Sequence, residues 1–183
     1  MIVWVNGPFG AGKTTTTALL QQALDGALLF DPEEVGFVIR QSFPEGHPQR
    51  HKDFQDYPMW PPLVAQHAIH LEHYTKAPVI APMTLLRHDY ADTIFSTIRA
   101  AGIELRHLLI HADPQTLRAR IEGSSEFPDD EVRSEKVRAF RRRKLADYES
   151  AYDTWLRDQA DVIDTSSLTP EQAAEQAVKL LRS

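Results

Sequence analysis

Residues 7–14 read Gly7-Pro8-Phe9-Gly10-Ala11-Gly12-Lys13-Thr14 and fit the pattern G-x-x-x-x-G-K-[ST] at every fixed position. The four residues before Asn6 are Ile2-Val3-Trp4-Val5, an apolar run that favours a buried strand. Residues 14–24 follow the loop and place their leucines on one stripe of a helix. In this order, backbone N–H groups converge where the helix dipole adds positive charge. The stretch therefore predicts a phosphate-binding P-loop.

The residue types of this loop fit the binding of a nucleoside triphosphate. Its three glycines permit left-handed backbone angles and a close approach of the chain to an anion. Lys13 can reach the β- and γ-phosphates, and the Thr14 hydroxyl can ligate the magnesium ion that bridges them. A dinucleotide site would instead require the spacing G-x-G-x-x-G. We assign to the nucleotide Gly7, Gly10, Ala11, Gly12, Lys13, Thr14 and Thr15.

Length and composition limit the class of protein. A chain of 183 residues is long enough for one α/β domain, so we expect a single domain over residues 1–183 with one mobile insertion. The net charge of −6 argues against a nucleic-acid-binding surface, which needs excess lysine and arginine. The absence of cysteine excludes disulfides and thiol nucleophiles. With no apolar run long enough to span a bilayer, we expect a cytoplasmic protein without an integral membrane segment.

Predicted strands alternate with predicted helices along the chain. The strands are expected at residues 2–5, 27–30, 78–81, 105–110 and 161–163. Asp31, Asp113 and Thr169 each precede a proline and are predicted helix N-caps. This alternation predicts a parallel sheet covered by helices on both sides, with ligands at the carboxyl ends of the strands. The P-loop, Asp31, Thr84 and Asp113 should therefore lie along one rim.

An irregular segment is predicted over residues 42–62, which contain five prolines and a glycine among aromatic and charged residues. Such a long loop in a compact domain is usually functional or disordered, and its aromatic residues favour order. Phe54, Tyr57 and Trp60 are candidates to line a substrate pocket. The alternative is that they form a local cluster that pins the loop.

A densely basic stretch lies within residues 122–144 and is predicted to form a helical lid. A closing lid can bring arginine to a phosphoryl group during transfer. Arg138 and Arg142 are four residues apart and share a helix face, and Arg141 is a third candidate. The alternative is a solvated helix face paired with nearby carboxylates. Those carboxylates are Glu131, Glu135, Asp147 and Glu149.

The order of these features resembles the nucleoside-monophosphate and shikimate-type small-molecule kinases. A more specific resemblance is to the bacterial tunicamycin-resistance ATP-binding proteins. It rests on segments within about the first half of the chain, while the second half matches more loosely. The segments are residues 4–14, Asp31-Pro32-Glu33 with Gly36-Phe37 and Arg40, Asp53-Phe54-Gln55-Asp56-Tyr57-Pro58-Met59-Trp60, and Pro82-Met83-Thr84.

This resemblance implies a three-layer αβα sandwich with a five-stranded parallel sheet in the order 2-3-1-4-5. It also implies binding of ATP and Mg²⁺ and protection against tunicamycin, a lipidated sugar that contains uridine. Phosphorylation of a hydroxyl of the antibiotic follows as an expectation from the kinase-like fold. Two alternatives stay open: binding of the antibiotic without modification, and phosphorylation of another small hydroxyl-bearing molecule.

The resemblance also implies roles for single residues. Asp31 would serve as the carboxylate that faces the acceptor hydroxyl, or it would only cap its helix. Arg40 would bind an anionic acceptor or pair with a surface acid, and Arg120 would contact adenine or form a structural salt bridge. The predicted catalytic residues are thus Lys13, Asp31, Arg138 and Arg142, and the predicted acceptor site comprises Asp31, Arg40, Phe54, Tyr57, Trp60 and Thr84.

One departure from many P-loop enzymes concerns the metal. Residues 79–84 read Val-Ile-Ala-Pro-Met-Thr and lack the acid that a third strand commonly provides for magnesium. Magnesium binding would then depend on Thr14, on water and on Asp31.

Overall fold

The computed structural model describes residues 1–182, in which five parallel strands form one sheet. The strands are β1 (Ile2–Asn6), β2 (Leu28–Leu29), β3 (Val79–Pro82), β4 (Leu105–His111) and β5 (Asp161–Asp164). Their order across the sheet is β2-β3-β1-β4-β5, and every neighbouring pair is parallel. The predicted fold class and strand order are confirmed.

Helices connect the strands and flank the sheet. They are α1 (Lys13–Ala23), α2 (Pro32–Gln41), α3 (Trp60–Thr75), α4 (His88–Ala100), α5 (Pro114–Glu122), α6 (Glu131–Ala151), α7 (Arg157–Gln159) and α8 (Pro170–Leu181). A single 3₁₀ turn covers Phe54–Asp56, and a π-helical turn, Tyr152–Leu156, joins α6 to α7. Among the helices of residues 1–182, none has both the length and the apolar character that crossing a bilayer requires.

The core is centred on β1, whose five residues are all buried. This strand pairs with β3 on one side and β4 on the other. Trp4 packs edge-on against Phe95 of α4, with ring centroids 5.6 Å apart. Helix α1 packs mainly on α8, and α3 on α4, which gives the layered arrangement. The carboxyl end of β1 therefore enters the P-loop from the middle of the sheet.

The three predicted N-caps are confirmed. Asp31 accepts a hydrogen bond from the amide of Glu33 at 2.9 Å, and Asp113 accepts one from the amide of Thr116 at 2.9 Å. Thr169 forms a reciprocal capping box with Gln172. Proline follows each cap because the first helical position needs no backbone donor. These caps fix where α2, α5 and α8 begin.

Two predicted boundaries were wrong. Strand β2 contains only Leu28–Leu29, and Leu29 is 49% exposed rather than buried, because β2 lies at the edge of the sheet. Helix α3 begins at Trp60, so Pro61 and Pro62 belong to its first turn rather than to the irregular segment. Amides of a first turn have no intrahelical partner, and a helix N-terminus therefore tolerates proline.

Candidate functional site

The P-loop connects β1 to α1 with the backbone angles that its glycines were predicted to supply. Gly7, Gly10 and Gly12 have φ of 151°, 84° and 92°. A Cβ on Gly7 would lie 2.5 Å from the carbonyl oxygen of Ile110 in β4. Gly12 caps α1, and its carbonyl accepts the first helical bond, from Thr16, at 2.9 Å. The loop therefore needs glycine for its backbone conformation and, at Gly7, for its close packing on the sheet.

Polar side chains, of which Asn6 is fully buried, hold the loop from the β3 side. The Asn6 carboxamide oxygen accepts from the amides of Gly7 at 2.8 Å and Leu85 at 3.0 Å, and its nitrogen donates to the Leu85 carbonyl at 2.8 Å. The Thr84 hydroxyl donates to the Gly7 carbonyl at 2.8 Å. Because Thr84 and Leu85 follow β3, these bonds fasten the end of that strand to the start of the P-loop.

A second set of bonds holds the loop from the β5 side. The Thr165 hydroxyl lies 2.9 Å from the carbonyl oxygens of both Ala11 and His111. Arg120 of α5 donates to the carbonyls of Gly10 at 3.3 Å and Thr165 at 2.7 Å. Carbonyl groups of the loop are thus bonded outward, to the segments around it.

Arg120 and the segment after β5 enclose a small cavity of about 280 Å³ beside the P-loop. It is also lined by Gly10, Ala11, Gly12, Thr16, Thr165, Leu168, Thr169, Pro170 and Ala173. The hydrogen bonds of Arg120 go to backbone and hydroxyl oxygens rather than to a carboxylate. This guanidinium therefore lies next to the loop, where the sequence predicted a contact with adenine, and that contact stays a prediction.

Lys13 is half-buried at the start of α1 and interacts electrostatically with Glu33 of α2 and with Asp31, the N-cap of that helix. Burial lowers the pKa of Lys13, and the negative charges of Glu33 and Asp31 oppose that shift. Burial likewise raises the pKa of Glu33, and repulsion from Asp31 and Asp53 adds to the effect. Thr14 and Thr15 are exposed beside Lys13. Lys13 is thus electrostatically coupled to both carboxylates, of which only Glu33 lines the cavity described next.

A larger cavity of about 670 Å³, here called the acceptor cavity, opens between the P-loop, α2, the 3₁₀ turn, the end of β3 and α6. Its charged lining residues are Glu33, Asp53, Asp56, Arg87, Arg141, Lys144 and Asp147. Phe9, Phe54, Thr84 and Phe140 supply part of the remaining wall. Of the predicted acceptor residues, the structure therefore brings Phe54 and Thr84 to this cavity.

Tyr57 and Trp60 were predicted to line a pocket, but both are buried in the core. The Trp60 indole donates to the carbonyl of Pro32 at 3.0 Å, and the Tyr57 hydroxyl accepts from the amide of His51 at 3.0 Å. Tyr57 also stacks on Phe43, with ring centroids 5.2 Å apart. These two aromatics pin the irregular segment, as the alternative interpretation required, because a long loop without ladder bonds needs side-chain anchors.

Phe54 has a different position. It lies against Gly36 of α2 so closely that a Cβ on this glycine would overlap its ring. Its ring meets that of Phe37 edge-on at 5.6 Å. Gly36 is therefore required for the approach of the 3₁₀ turn to α2, which sets the side of the acceptor cavity next to Glu33.

The predicted lid, residues 122–144, contains the end of α5, a connection and the first part of α6. Within it, Arg138 pairs with Glu131 and Glu135, and Arg142 pairs with Glu122 at 2.9 Å and Glu135 at 2.6 Å. The structure thus engages both predicted catalytic arginines with carboxylates of the lid itself, and neither lines the acceptor cavity. Their part in catalysis stays a prediction.

Arg141, the third candidate, is the lid arginine on the acceptor cavity. Its guanidinium lies 5.6 Å from the ring centroid of Phe9 in the P-loop and pairs with Glu126 at 2.6 Å. Its charge contributes to the lowered pKa of Lys13. The rings of Phe9 and Phe140 meet at 5.8 Å beside it. The lid therefore contacts the P-loop through these aromatics.

Arg40 lies apart from both cavities described above. It is half-buried near the end of α2, and its carbonyl accepts from Arg50 at 2.9 Å. Its Nε is buried and has no hydrogen-bond partner within residues 1–182. The predicted contact of Arg40 with an anionic acceptor is therefore not supported by its position relative to the acceptor cavity.

Sequence reasoning gave no role to several residues that line the acceptor cavity. Glu33 and Asp53 lie inside the segments that suggested the family, so their acidic character was a usable signal. Lys144 lies 4.0 Å from Asp53 and links α6 to the segment before the 3₁₀ turn. Phe9 occupies a variable position of the motif, and Lys144 is one of many basic residues, so neither stands out from the sequence.

Comparisons with known proteins agree with this architecture. A protein-family model described as an AAA domain matches residues 2–146. The structure of a Deinococcus radiodurans tunicamycin resistance protein is 25% identical, with a TM-score of 0.74, and the match covers 98% of this chain and 94% of that one. No curated protein matches the sequence significantly.

Two further structures share the fold. A sugar kinase from Janibacter sp. HTCC2649 is 17% identical, with a TM-score of 0.69 over 99% of this chain and 94% of the other. An APS kinase from Mycobacterium tuberculosis, in complex with AMPPNP and APS, is 13% identical, with a TM-score of 0.62 over 100% and 97%. The resemblance to tunicamycin-resistance proteins is confirmed as a structural similarity. The chain belongs to the AAA domain family, in which it has a P-loop kinase-like fold.

Proposed function

We propose that this protein is a kinase that transfers the γ-phosphoryl group of ATP to a hydroxyl of a tunicamycin-like nucleoside antibiotic. The observation that supports this most is the electrostatic coupling of Lys13 in the P-loop to Glu33, which lines an acceptor cavity that also contains lid cations. The similarity to a tunicamycin resistance protein suggests the substrate. A reaction that consumes ATP also fits a cytoplasmic location.

In the proposed reaction, the P-loop amides and Lys13 bind the β- and γ-phosphates. The acceptor oxygen forms a bond to the γ-phosphorus, and the bond to the oxygen bridging the β-phosphate breaks, so that ADP leaves. A carboxylate accepts the proton of the acceptor hydroxyl. Asp31 and Glu33 are the candidates, and Glu33 has the raised pKa that suits a proton acceptor. Arg141 neutralises charge on the transferring group.

The residues around Lys13 fit a magnesium ion. Magnesium prefers oxygen ligands and usually retains several waters, and the Thr14 hydroxyl together with the Asp31 and Glu33 carboxylates offers such oxygens. When bound, the ion neutralises charge on the phosphates. Strand β3 contributes no acid, because it reads Val-Ile-Ala-Pro over Val79–Pro82 and the next two residues are Met83 and Thr84. Thr14 is therefore the metal ligand that we propose.

A test is to incubate the protein with ATP, magnesium and tunicamycin and to follow the mass of the drug. The proposal predicts a mass gain of one phosphoryl group together with stoichiometric ADP. The Asp31→Asn and Glu33→Gln variants should retain ATP binding and lose transfer, in whole or in part. If neither variant slows transfer, the assignment of a carboxylate as the proton acceptor fails.

A second candidate function is binding of the antibiotic without modification, which the absence of an acid in β3 favours. In that case the drug would bind tightly and return with its mass unchanged, even after long incubation with MgATP. A third outcome, transfer to simple sugars or hydroxy acids but not to the drug, would indicate a kinase with another acceptor.

A further inference from the structure

An apolar groove of about 700 Å³ runs between α2 and α3, beside the edge strand β2. This volume is in the range of small-molecule sites, roughly 300–1,000 Å³. Phe30 and Ile39 are buried at its base, while Val38 and Leu63 form opposite walls. This groove shares no lining residue with the acceptor cavity.

The walls of the groove leave large apolar side chains in water. Leu29, Val38 and Leu63 are 49%, 64% and 45% exposed, and all three line the groove. Apolar side chains grouped in one concavity mark a binding surface more often than scattered ones do. Because the walls face each other across a groove, a slender apolar chain would contact both helices at once.

The charges on the rim restrict what such a chain can be attached to. Asp31 and Glu34 line the groove from α2, and His67 and His70 line it from α3. Among its lining residues within the described chain, none is lysine or arginine. A fatty-acid carboxylate or a lipid phosphate would therefore meet two carboxylates and no permanent cation, so the rim favours an uncharged head group.

The groove adjoins the acceptor cavity through the first turn of α2. Asp31 lines the groove, and Glu33, two residues later, lines the acceptor cavity. The negative charges of both carboxylates raise the pKa of Lys13, against the effect of its burial. A molecule with its chain between α2 and α3 would thus place its head at the carboxyl end of β2, where parallel α/β sheets bind ligands.

We propose that this groove binds the alkyl chain of an uncharged amphiphilic acceptor, with the hydroxyl-bearing head at Asp31. This inference rests on the proposed function for the identity of the head as the phosphoryl acceptor. The binding of the chain itself depends only on the groove, so the two can fail separately.

The test uses n-octyl and n-decyl β-glucoside, titrated calorimetrically below their micelle concentrations and without nucleotide. Two additional methylenes in the groove should tighten binding roughly tenfold. Val38→Asp puts a carboxylate on the groove wall and should weaken both glucosides at least tenfold. Val132→Asp is the matched control, because Val132 is a 69% exposed helical valine that does not line the groove. It should bind like the wild type.

Equal affinities for the two chain lengths, or equal effects of the two substitutions, would overturn the inference. Sedimentation of the same variants addresses a second copy of the chain as the occupant. A dimer that only Val38→Asp dissociates, with glucoside binding unchanged, would also overturn the inference. A parallel titration with MgATP separates the two proposals. Normal glucoside binding without any nucleotide binding would refute the proposed kinase function but would still support alkyl-chain binding in the groove.

Discussion

The two sides of the P-loop use their polar side chains differently. On the β5 side, Arg120 and Thr165 are bonded to loop carbonyls and enclose a small cavity that contains no other charged residue among its described lining. On the α2 side, Glu33, Arg141 and Lys144 face a cavity more than twice as large. The first side therefore fastens the loop backbone to the segments around it. The second side borders an open cavity that is lined by charged side chains. Substitutions on the two sides should therefore have different effects on nucleotide binding and on transfer.

The largest expected effect is that of Lys13→Ala, which removes the P-loop cation that Glu33, Asp31 and Arg141 influence. Nucleotide affinity and transfer should both fall, transfer by on the order of 10³-fold, because charge on the phosphates loses its partner. Displacement of a fluorescent ATP analogue measures the affinity. Lys179→Ala on the exposed face of α8 is the control. A Lys13→Ala variant with wild-type affinity for ATP would contradict the assignment of this lysine to the phosphates.

Glu33→Gln should affect the acceptor side alone. Transfer should fall by about 10²-fold while ATP affinity is kept. In the wild type, the rate should rise with pH as the raised pKa of Glu33 is passed, because only the ionised carboxylate accepts a proton. The variant should lose this limb of the pH–rate profile. An unchanged profile would exclude Glu33 as the proton acceptor.

The same pKa shift predicts a stability effect with a definite sign. A carboxyl group whose pKa is raised by folding stabilises the protein below its unfolded pKa, and that contribution is lost as the pH rises through the folded value. The difference in free energy of unfolding between the Glu33→Gln variant and the wild type should therefore favour the variant more at pH 7 than at pH 4. Urea titrations of both proteins at the two pH values measure this difference. A variant whose stability relative to the wild type is lower at pH 7 than at pH 4 would contradict the prediction.

Arg141→Ala and Arg142→Ala are a matched pair from adjacent positions of the lid. Both arginines pair with lid carboxylates, Arg141 with Glu126 and Arg142 with Glu122 and Glu135, but only Arg141 lines the acceptor cavity. Transfer should fall roughly 10- to 100-fold in the first variant and less than about threefold in the second. Steady-state rates at saturating ATP decide between them. The reverse order would indicate that the lid rearranges before transfer.

A smaller effect concerns the glycine frame itself. Gly7→Ala introduces a Cβ that would lie 2.5 Å from a carbonyl of β4, at a φ of 151°. Gly46→Ala also has a positive φ, of 82°, but meets nothing within 4 Å. We expect a loss of more than about 2 kcal/mol for the first and about 1 kcal/mol for the second. Urea unfolding measures both, and equal losses would mean that the packing of Gly7 on β4 contributes nothing.

The same contrast explains what the sequence could predict. The P-loop and its glycines follow from a local pattern with a direct backbone requirement, and the caps at Asp31, Asp113 and Thr169 follow from short-range hydrogen bonding. The strand order came from a family resemblance. These features depend on few residues that are close in the chain, or on a fold shared by many sequences.

The acceptor side could not be predicted as well, because its arrangement depends on tertiary contacts. Tyr57 and Trp60 were assigned to a pocket, yet the core needed them as anchors of the irregular segment. Periodicity placed Arg138 and Arg142 on one face and left catalysis and pairing with nearby carboxylates as alternatives. The structure shows the pairing, with Glu131 and Glu135 among the partners. The cluster of Glu33 with Lys13 joins separate elements, which no local pattern reveals.

The central claim is that residues 7–14 form a binding site for the triphosphate of ATP. Calorimetric titration of the folded protein with MgATP tests it most directly. We expect saturable binding of one nucleotide per chain, weakened by removal of magnesium. A titration of folded protein that shows no binding of adenine nucleotides, with or without magnesium, would contradict the account.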